Sequence, residues 1–515
     1  MRAHRTAPLA RSLFVPVLLV PVLLAGTVCR ASAQSPRPIR SADIYRLRDV
    51  GAGRISPDGA WIAYTVTTVD SAKDKSDSDV WMVNYEGTRT IRMTSSPEGE
   101  SNPRWSPDNR YLSFVSGRYE SKGGQVWLLD RAGGDAVRLT DLKGGVGEYE
   151  WSPDGTRLAV VSHDPDPEES KPDSLKTKNP KPIVLDRYAF KRDNTGYLDR
   201  LRDHVYIVDV ATKKAVQITT GEFDDQSVRW SPDGKRLAFV SERGGTDPDR
   251  TNNADIYVVD AAPGATPLKL TTWSGPDANP VWSPDGQSIA YLQGSEPQLS
   301  AYTQNTIAVV PRAGGAARLV GASLDRDVSG LSWSADGTTL RFLLGDDRAV
   351  HLAAVPVAGG AVTRLLDGRR AVSAYDASST GRVVLNTATA TRSGEVYAFE
   401  NGALRALTHV NDSIFTALSL GTTEDVQFNN KDGLTVGALL VKPAGFDASK
   451  RYPLMLRIHG GPNGQDQHAF SFERELFAAN GYLVLAVNYR GSSGRGQAWK
   501  KAIFADWGNK EVQDL

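Results

Sequence analysis

The chain has 515 residues, with 60 Lys plus Arg against 60 Asp plus Glu and a formal net charge of zero. That balance gives no basis for nucleic-acid binding or for a polybasic membrane surface, and the length suits two or more domains. Seven scattered His residues without a His-x-x-x-His pair, and a single Cys, point to no metal site, no cofactor and no disulfide framework.

The start of the chain reads as a targeting segment. Arg2, Arg5 and Arg11 flank the apolar run Leu13–Ala25, which Pro16 and Pro21 interrupt, and Ala31-Ser32-Ala33 supplies small residues before Gln34. This pattern predicts a secretory signal peptide over residues 1–33 and an exported protein, periplasmic or secreted. The run is too short and too broken for a comfortable membrane span, so none is expected after signal removal. Cys29 leaves with the signal, and the exported chain must build a core that stands without disulfides. In the N-terminal segment, residues 34–52, Ser41-Ala42-Asp43 reads as a helix start.

A turn motif then recurs. Trp-Ser-Pro-Asp-Gly is intact at Trp151–Gly155, Trp230–Gly234 and Trp282–Gly286, and worn at Ile55–Gly59, Trp105–Asn109, Trp333–Gly337 and Tyr375–Gly381. Pro presets φ for a type I turn, Asp accepts from nearby N–H groups, and Gly takes the left-handed position that returns the chain as a strand. The Trp before the turn is a large apolar anchor for sheet packing. Each copy leads into an apolar strand and then into a second strand half-repeat that often ends in Leu-Thr or Ile-Thr. A spacing of about 50 residues and four short strands per unit predict a seven-bladed β-propeller over residues 53–410. The Asp of each turn reads as a turn cap and not as a metal ligand.

One gap breaks the spacing. Residues 163–203 form an insertion that opens with the Pro- and charge-rich stretch Asp164–Pro182 and continues through Arg187, Tyr188 and Phe190. Two readings stand side by side: an overlong surface hairpin, or a finger over the propeller mouth that touches substrate.

After Thr408 the pattern changes. Val426–Phe428 and Leu434–Val441 predict a hairpin turned at Lys431-Asp432-Gly433. The apolar strand Leu454–Ile458, a helix near Phe472–Asn480 and the strand Leu483–Val487 make a βαβ unit, with both strands expected to be buried on both faces. Directly after the first of these strands stands His459-Gly460-Gly461-Pro462, where adjacent Gly residues let backbone N–H donors approach a bound group. Asn488-Tyr489-Arg490-Gly491-Ser492 follows the second strand, and Arg490 there is expected to tie loops together.

In order, the signal peptide, the repeated turns, Lys442-Pro443, His459–Pro462, Asn488–Ser492 and Asp506–Gly508 resemble the prolyl oligopeptidase family of serine peptidases, nearest to its dipeptidyl and acylaminoacyl peptidase branches. The resemblance implies an all-β seven-bladed propeller capping the N-terminal part of an α/β-hydrolase domain, here residues 411–515. It implies short peptide substrates, cleavage by acyl transfer through a Ser-His-Asp triad, and the N–H of Gly461 in the oxyanion hole. Some family members carry a Tyr where this chain has His459. In the dipeptidyl branch, acidic side chains grip the substrate amine, and the insertion offers Glu168, Glu169, Asp186 and Asp193. The departure is equally specific, because no Gly-x-Ser-x-Gly elbow occurs in residues 1–515. The triad Ser, Asp and His are expected beyond Leu515, and the chain alone is expected to be inactive. The alternative is a periplasmic propeller that binds or scaffolds, with the hydrolase segment as a relic.

Overall fold

In each good copy of the turn motif, the Ser and the Asp close the turn together. The structure, a computed structural model, describes residues 35–119, 123–168, 171, 182–244, 247–302, 304–461 and 463–515. The signal-peptide expectation therefore lies outside the described residues. At residues 151–155, Ser152 Oγ donates to Asp154 Oδ1 at 2.6 Å, which also accepts the N–H of Thr156 at 3.0 Å. Ser152 Oγ in turn accepts the N–H of Arg157, the first residue of the next strand, at 2.9 Å. Gly155 turns the chain at φ +70°. The set repeats at Ser56, Ser106, Ser231, Ser283 and Ser334. These donors hold the Asp carboxyls below the usual range, down to about 2 at Asp336. In the most worn copy Thr380 replaces the Asp, pairing with Ser378 at 2.8 Å.

The strands after these turns form antiparallel meanders. Four are four-stranded sheets, starting at Glu100–Trp105, Glu148–Trp151, Asp225–Trp230 and Asp277–Trp282. The first, around Trp61–Asp70 and Lys75–Asn84, has a fifth strand. The last two meanders join into one eight-stranded sheet through a single parallel pair, Val350 with Ala371. The recurrent Leu-Thr ending has a physical cause. Its Thr hydroxyl accepts the N–H at the start of the middle strand's apolar run, as from Thr94 to Val80 (2.8 Å), Thr219 to Val205 (2.9 Å) and Thr408 to Val396 (2.8 Å). No ladder partner reaches those amides, and a buried N–H left unpaired is costly.

Trp residues link neighbouring sheets by more than bulk. Trp105, Trp151, Trp230 and Trp282 are all buried. The indole N–H of Trp230 donates to the carbonyl of Glu150 in the preceding meander, that of Trp282 to Arg229, and that of Trp333 to Val281. Apolar clusters bridge each sheet to the next, and one joins the last meander to the first, with Val384, Val396 and Ala398 against Ile55, Ile62 and Tyr64.

Residues 411–515 build a different layer. Strands β1 (Thr422–Asn429), β2 (Thr435–Lys442), β3 (Leu454–Ile458) and β4 (Leu483–Asn488) form one sheet in the order β1-β2-β4-β3, with β3 and β4 parallel. Helix α1 (Phe472–Ala479) makes the crossover, and Ser471 Oγ caps it by accepting the N–H of Arg474. The expected burial of β3 on both faces is corrected. Among the described residues β3 is the sheet edge, and Leu454, Leu456 and Ile458 are 57%, 37% and 55% exposed. Alternation puts these three on one face, and no helix among the described residues covers it. Among the described residues, no helix is long and apolar enough to cross a membrane.

Candidate functional site

The polar residues that follow β3 and β4 lie at the carboxyl ends of two adjacent parallel strands, where α/β sheets place their ligand sites. The first turn, His459–Gly464, is shaped by Gly461 at φ +134°. A Cβ there would sit 2.8 Å from the N of Asn463 and 2.9 Å from that of Gly464, so only Gly fits. Gly460 and Gly461 are exposed, and the N–H of Gly461 meets no acceptor among the described residues. This is the donor an oxyanion would need.

His459 holds that turn in place. It is buried, its ring stacks on Tyr489 with centroids 4.6 Å apart, and the Tyr489 hydroxyl donates to the His459 carbonyl at 2.5 Å. Its Nε2 lies 2.9 Å from Ser492 Oγ, and its Nδ1 lies 3.1 Å from the Gly460 carbonyl. A carbonyl only accepts, so Nδ1 carries the proton and Nε2 accepts from the Ser492 hydroxyl. Burial pushes the His459 pKa below its ordinary value and keeps the ring neutral. This is the one Ser–His hydrogen bond among the described residues. It is not a nucleophile–base pair in the hydrolytic sense, because Ser492 is fully buried and no carboxylate orients Nδ1.

The two turns are tied again at Asn488. Its side chain accepts the N–H of Asp466 at 2.8 Å and donates to the Asp466 carbonyl at 3.1 Å. The Asp466 carboxylate pairs with Arg457 of β3 at 2.5 Å and with Arg474 of α1 at 3.5 Å. Arg490 ties loops together as expected. It pairs with Asp514 at 2.9 Å, in helix α2 (Lys510–Asp514), and with Asp432 of the β1–β2 turn at 2.7 Å. Sequence reasoning treated the His459 and Asn488 turns separately, quoted Tyr489 and Ser492 without their contacts to His459, and missed Asp466. Their position directly after parallel strands was the available signal.

The insertion residues fall elsewhere. Glu168 is paired with Lys171, Asp186 pairs with Arg200 at 2.8 Å, and Asp193 sits exposed at the tip of the Lys191–Arg192/Gly196–Tyr197 hairpin without an ion pair among the described residues. Glu169 lies outside the described residues. The insertion is anchored by Arg187, whose guanidinium grips Asp249 at 2.6 and 2.9 Å, and by Arg250 over the Tyr188 ring at 4.1 Å. A cavity of about 390 Å³ beside it is lined by Glu222, Asp224 and Glu242, carboxylates that the sequence reading did not single out.

Comparison with known proteins bears on the lineage. Residues 468–515 match the Prolyl oligopeptidase family. The chain is 28% identical over 504 residues to the uncharacterized peptidase YuxL of Bacillus subtilis (strain 168), covering 93% of this chain and 74% of the relative. It is 27% identical over 500 residues to dipeptidyl-peptidase 5 of Porphyromonas gingivalis, covering 89% and 69%. These matches support the prolyl oligopeptidase family for this chain. Its fold matches the acylaminoacyl peptidase of Pyrococcus horikoshii with a TM-score of 0.75 at 22% identity, over 92% of this chain and 70% of that one. Prolyl oligopeptidase relatives join a β-propeller to a hydrolase domain, and the meanders and the β1–β4 sheet correspond to those two parts.

The two parts touch through named contacts. Lys500 pairs with Asp327 at 2.6 Å, and the N–H of Gln497 donates to Asp325 at 2.8 Å. Arg348 pairs with Asp425 at 3.1 Å, and its carbonyl accepts the N–H of His468 at 2.8 Å. These three propeller residues lie at or just before the start of the strand Asp327–Trp333, or at the hairpin after Asp346, the ends remote from the Trp-Ser-Pro-Asp-Gly turns.

Proposed function

We propose that this is an exported serine peptidase that cleaves short peptides by acyl transfer, with the Gly461 N–H as an oxyanion donor. The observation that carries the reading is the Gly461 turn, a backbone donor with no acceptor among the described residues at the end of a parallel strand. In the proposal residues 53–410 close into a seven-bladed ring over the hydrolase domain of residues 411–515. Support comes from the cluster that packs the last meander on the first, and from the N–H of Ile55 donating to Asp376 at 3.0 Å. A closed ring over the site admits peptides and excludes folded proteins. The name dipeptidyl-peptidase 5 among the relatives suggests removal of dipeptides, with the free amine held by a carboxylate from Glu168, Glu169, Asp186 or Asp193. Of these, Asp193 is exposed and makes no ion pair among the described residues.

Residues 1–515 contain no Gly-x-Ser-x-Gly elbow, and the Ser492–His459 pair is sealed from solvent. The chain by itself is therefore expected to leave peptide p-nitroanilides uncleaved. The test is a hydrolysis assay with and without a serine-reactive phosphonate. Turnover that the phosphonate blocks would place the nucleophile among these residues and overturn the assignment of roles.

A further inference from the structure

Residues near the ends of the strands that run into four of the turns meet around one cavity of about 300 Å³. Arg54 of the first meander, Arg104 of the second, Glu150 of the third and Asp376 of the last line it, with Trp105 and Trp151 as apolar walls. The cavity lies at the turn end of the sheets. The loops that meet residues 411–515 are at the opposite end.

Donors and acceptors in this cavity do not balance. The acceptors are engaged by backbone: Glu150 takes the N–H of Trp230 at 2.7 Å, and Asp376 takes those of Ile55 and Ala377, each at 3.0 Å. The third arginine nearby, Arg229, is within 4.0 Å of Glu148. Neither Arg54 nor Arg104 makes an ion pair or a side-chain hydrogen bond among the described residues, and Arg104 Nε is sequestered without a partner. The two half-buried guanidinium groups present their N–H donors in planar forks, and a buried donor such as Arg104 Nε is rarely left unmet. Burial, with the Arg104 charge second, pushes the Arg54 pKa down, while burial pushes Glu150 and Asp376 up. A negative group between the arginines would offset the Arg104 charge that lowers the Arg54 pKa.

We propose that this pocket binds a compact oxyanion, a carboxylate or phosphate group held by the forks of Arg54 and Arg104 against the two Trp walls. The bound group is either a free inorganic oxyanion or the terminal carboxylate of a peptide. The inference rests on the cavity and its side chains, and it stands whether or not the chain is a peptidase.

The test is calorimetric titration of the 515-residue chain with inorganic phosphate at low ionic strength, and separately with N-acetyl-glycylglycine and its amide. Saturable phosphate binding is expected, weakened at least tenfold in Arg54→Gln and in Arg104→Gln and unchanged in Arg318→Gln on the outer strand Arg318–Val320. Competition by the free dipeptide acid but not by its amide assigns the site to peptide carboxylates, and phosphate binding alone assigns it to free oxyanions. Circular dichroism melts check each variant, and Arg54→Lys and Arg104→Lys, which keep the charge and lose the fork, should show intermediate loss. Absence of saturable binding to the wild-type chain, or binding that survives both the Gln and the Lys substitutions, overturns the proposal.

Discussion

The repeated sheets and the β1–β4 sheet solve the same problem, satisfying polar backbone at the ends of strands, in opposite ways. In the repeats the answer is local and reused: Ser and Asp two residues apart close each turn, a Thr meets the strand N–H, and a Trp reaches one sheet back. In the C-terminal part every answer is used once and spans the chain. Asp514 is held by Arg490 and Asn430, Asp425 by Arg348, Arg369 and His468, and Asp466 by Arg457 and Arg474. A repeated local device makes each copy independent and tolerant of wear. A single long-range cluster makes its whole layer depend on a few charges, and the apolar edge of β3 adds a largely exposed surface.

The largest effect separating the two regions should come from the sheet-to-sheet anchor. Trp230→Ala is expected to cost about 3–5 kcal/mol in urea unfolding, because it empties a buried aromatic site and removes the bond to Glu150. A loss below about 1 kcal/mol at Trp230, Trp105, Trp151 and Trp282 alike would mean that the repeats do not rely on these anchors.

Next comes a charge buried inside the repeats, where the local rule is broken. Burial, with the neighbouring Asp255 carboxylate adding to it, raises the Asp277 pKa from 3.8 to about 7, against the opposing pulls of Thr271 and Lys269. The folded state then holds this proton more tightly than the unfolded one. Stability contributed by protonated Asp277 is full below pH 3.8 and is lost as pH rises toward 7. Asp277→Asn should flatten that decline and raise the melting temperature at pH 8, by a stability difference on the order of 2–4 kcal/mol. An unchanged pH profile would show that Asp255 and Asp277 share their charge differently.

The smallest effect tests the reused turn. Ser152→Ala removes one hydroxyl that both donates and accepts, and about 1 kcal/mol is expected. Combining it with Ser283→Ala, two turns along, should give additive losses in melting experiments, since Ser152 is bound to Asp154 and Arg157 and Ser283 to Asp285 and Ser288. Strong non-additivity would mean that the copies are coupled, and would bring the repeats closer to the single-use logic of the C-terminal part.

What the sequence determined by itself was the set of local units. The turn copies, the paired strands after them, the hairpin at Lys431–Gly433 and the βαβ order of β3, α1 and β4 could all be read directly, because period, turn chemistry and apolar runs act over fewer than about ten residues. The Gly-rich turn after β3 was legible for the same reason. Only the tertiary structure decided which polar groups meet. Ser492 is 33 residues from His459, Asp249 is 62 from Arg187, and Asp376 is 321 from Ile55. Such pairings leave no periodic trace, since each is made once by the way the layers stack. Arg54 and Arg104 at the turn end, without an ion pair among the described residues, are of the same kind. Both follow from which neighbour a strand has in space, and spacing along the chain does not encode that.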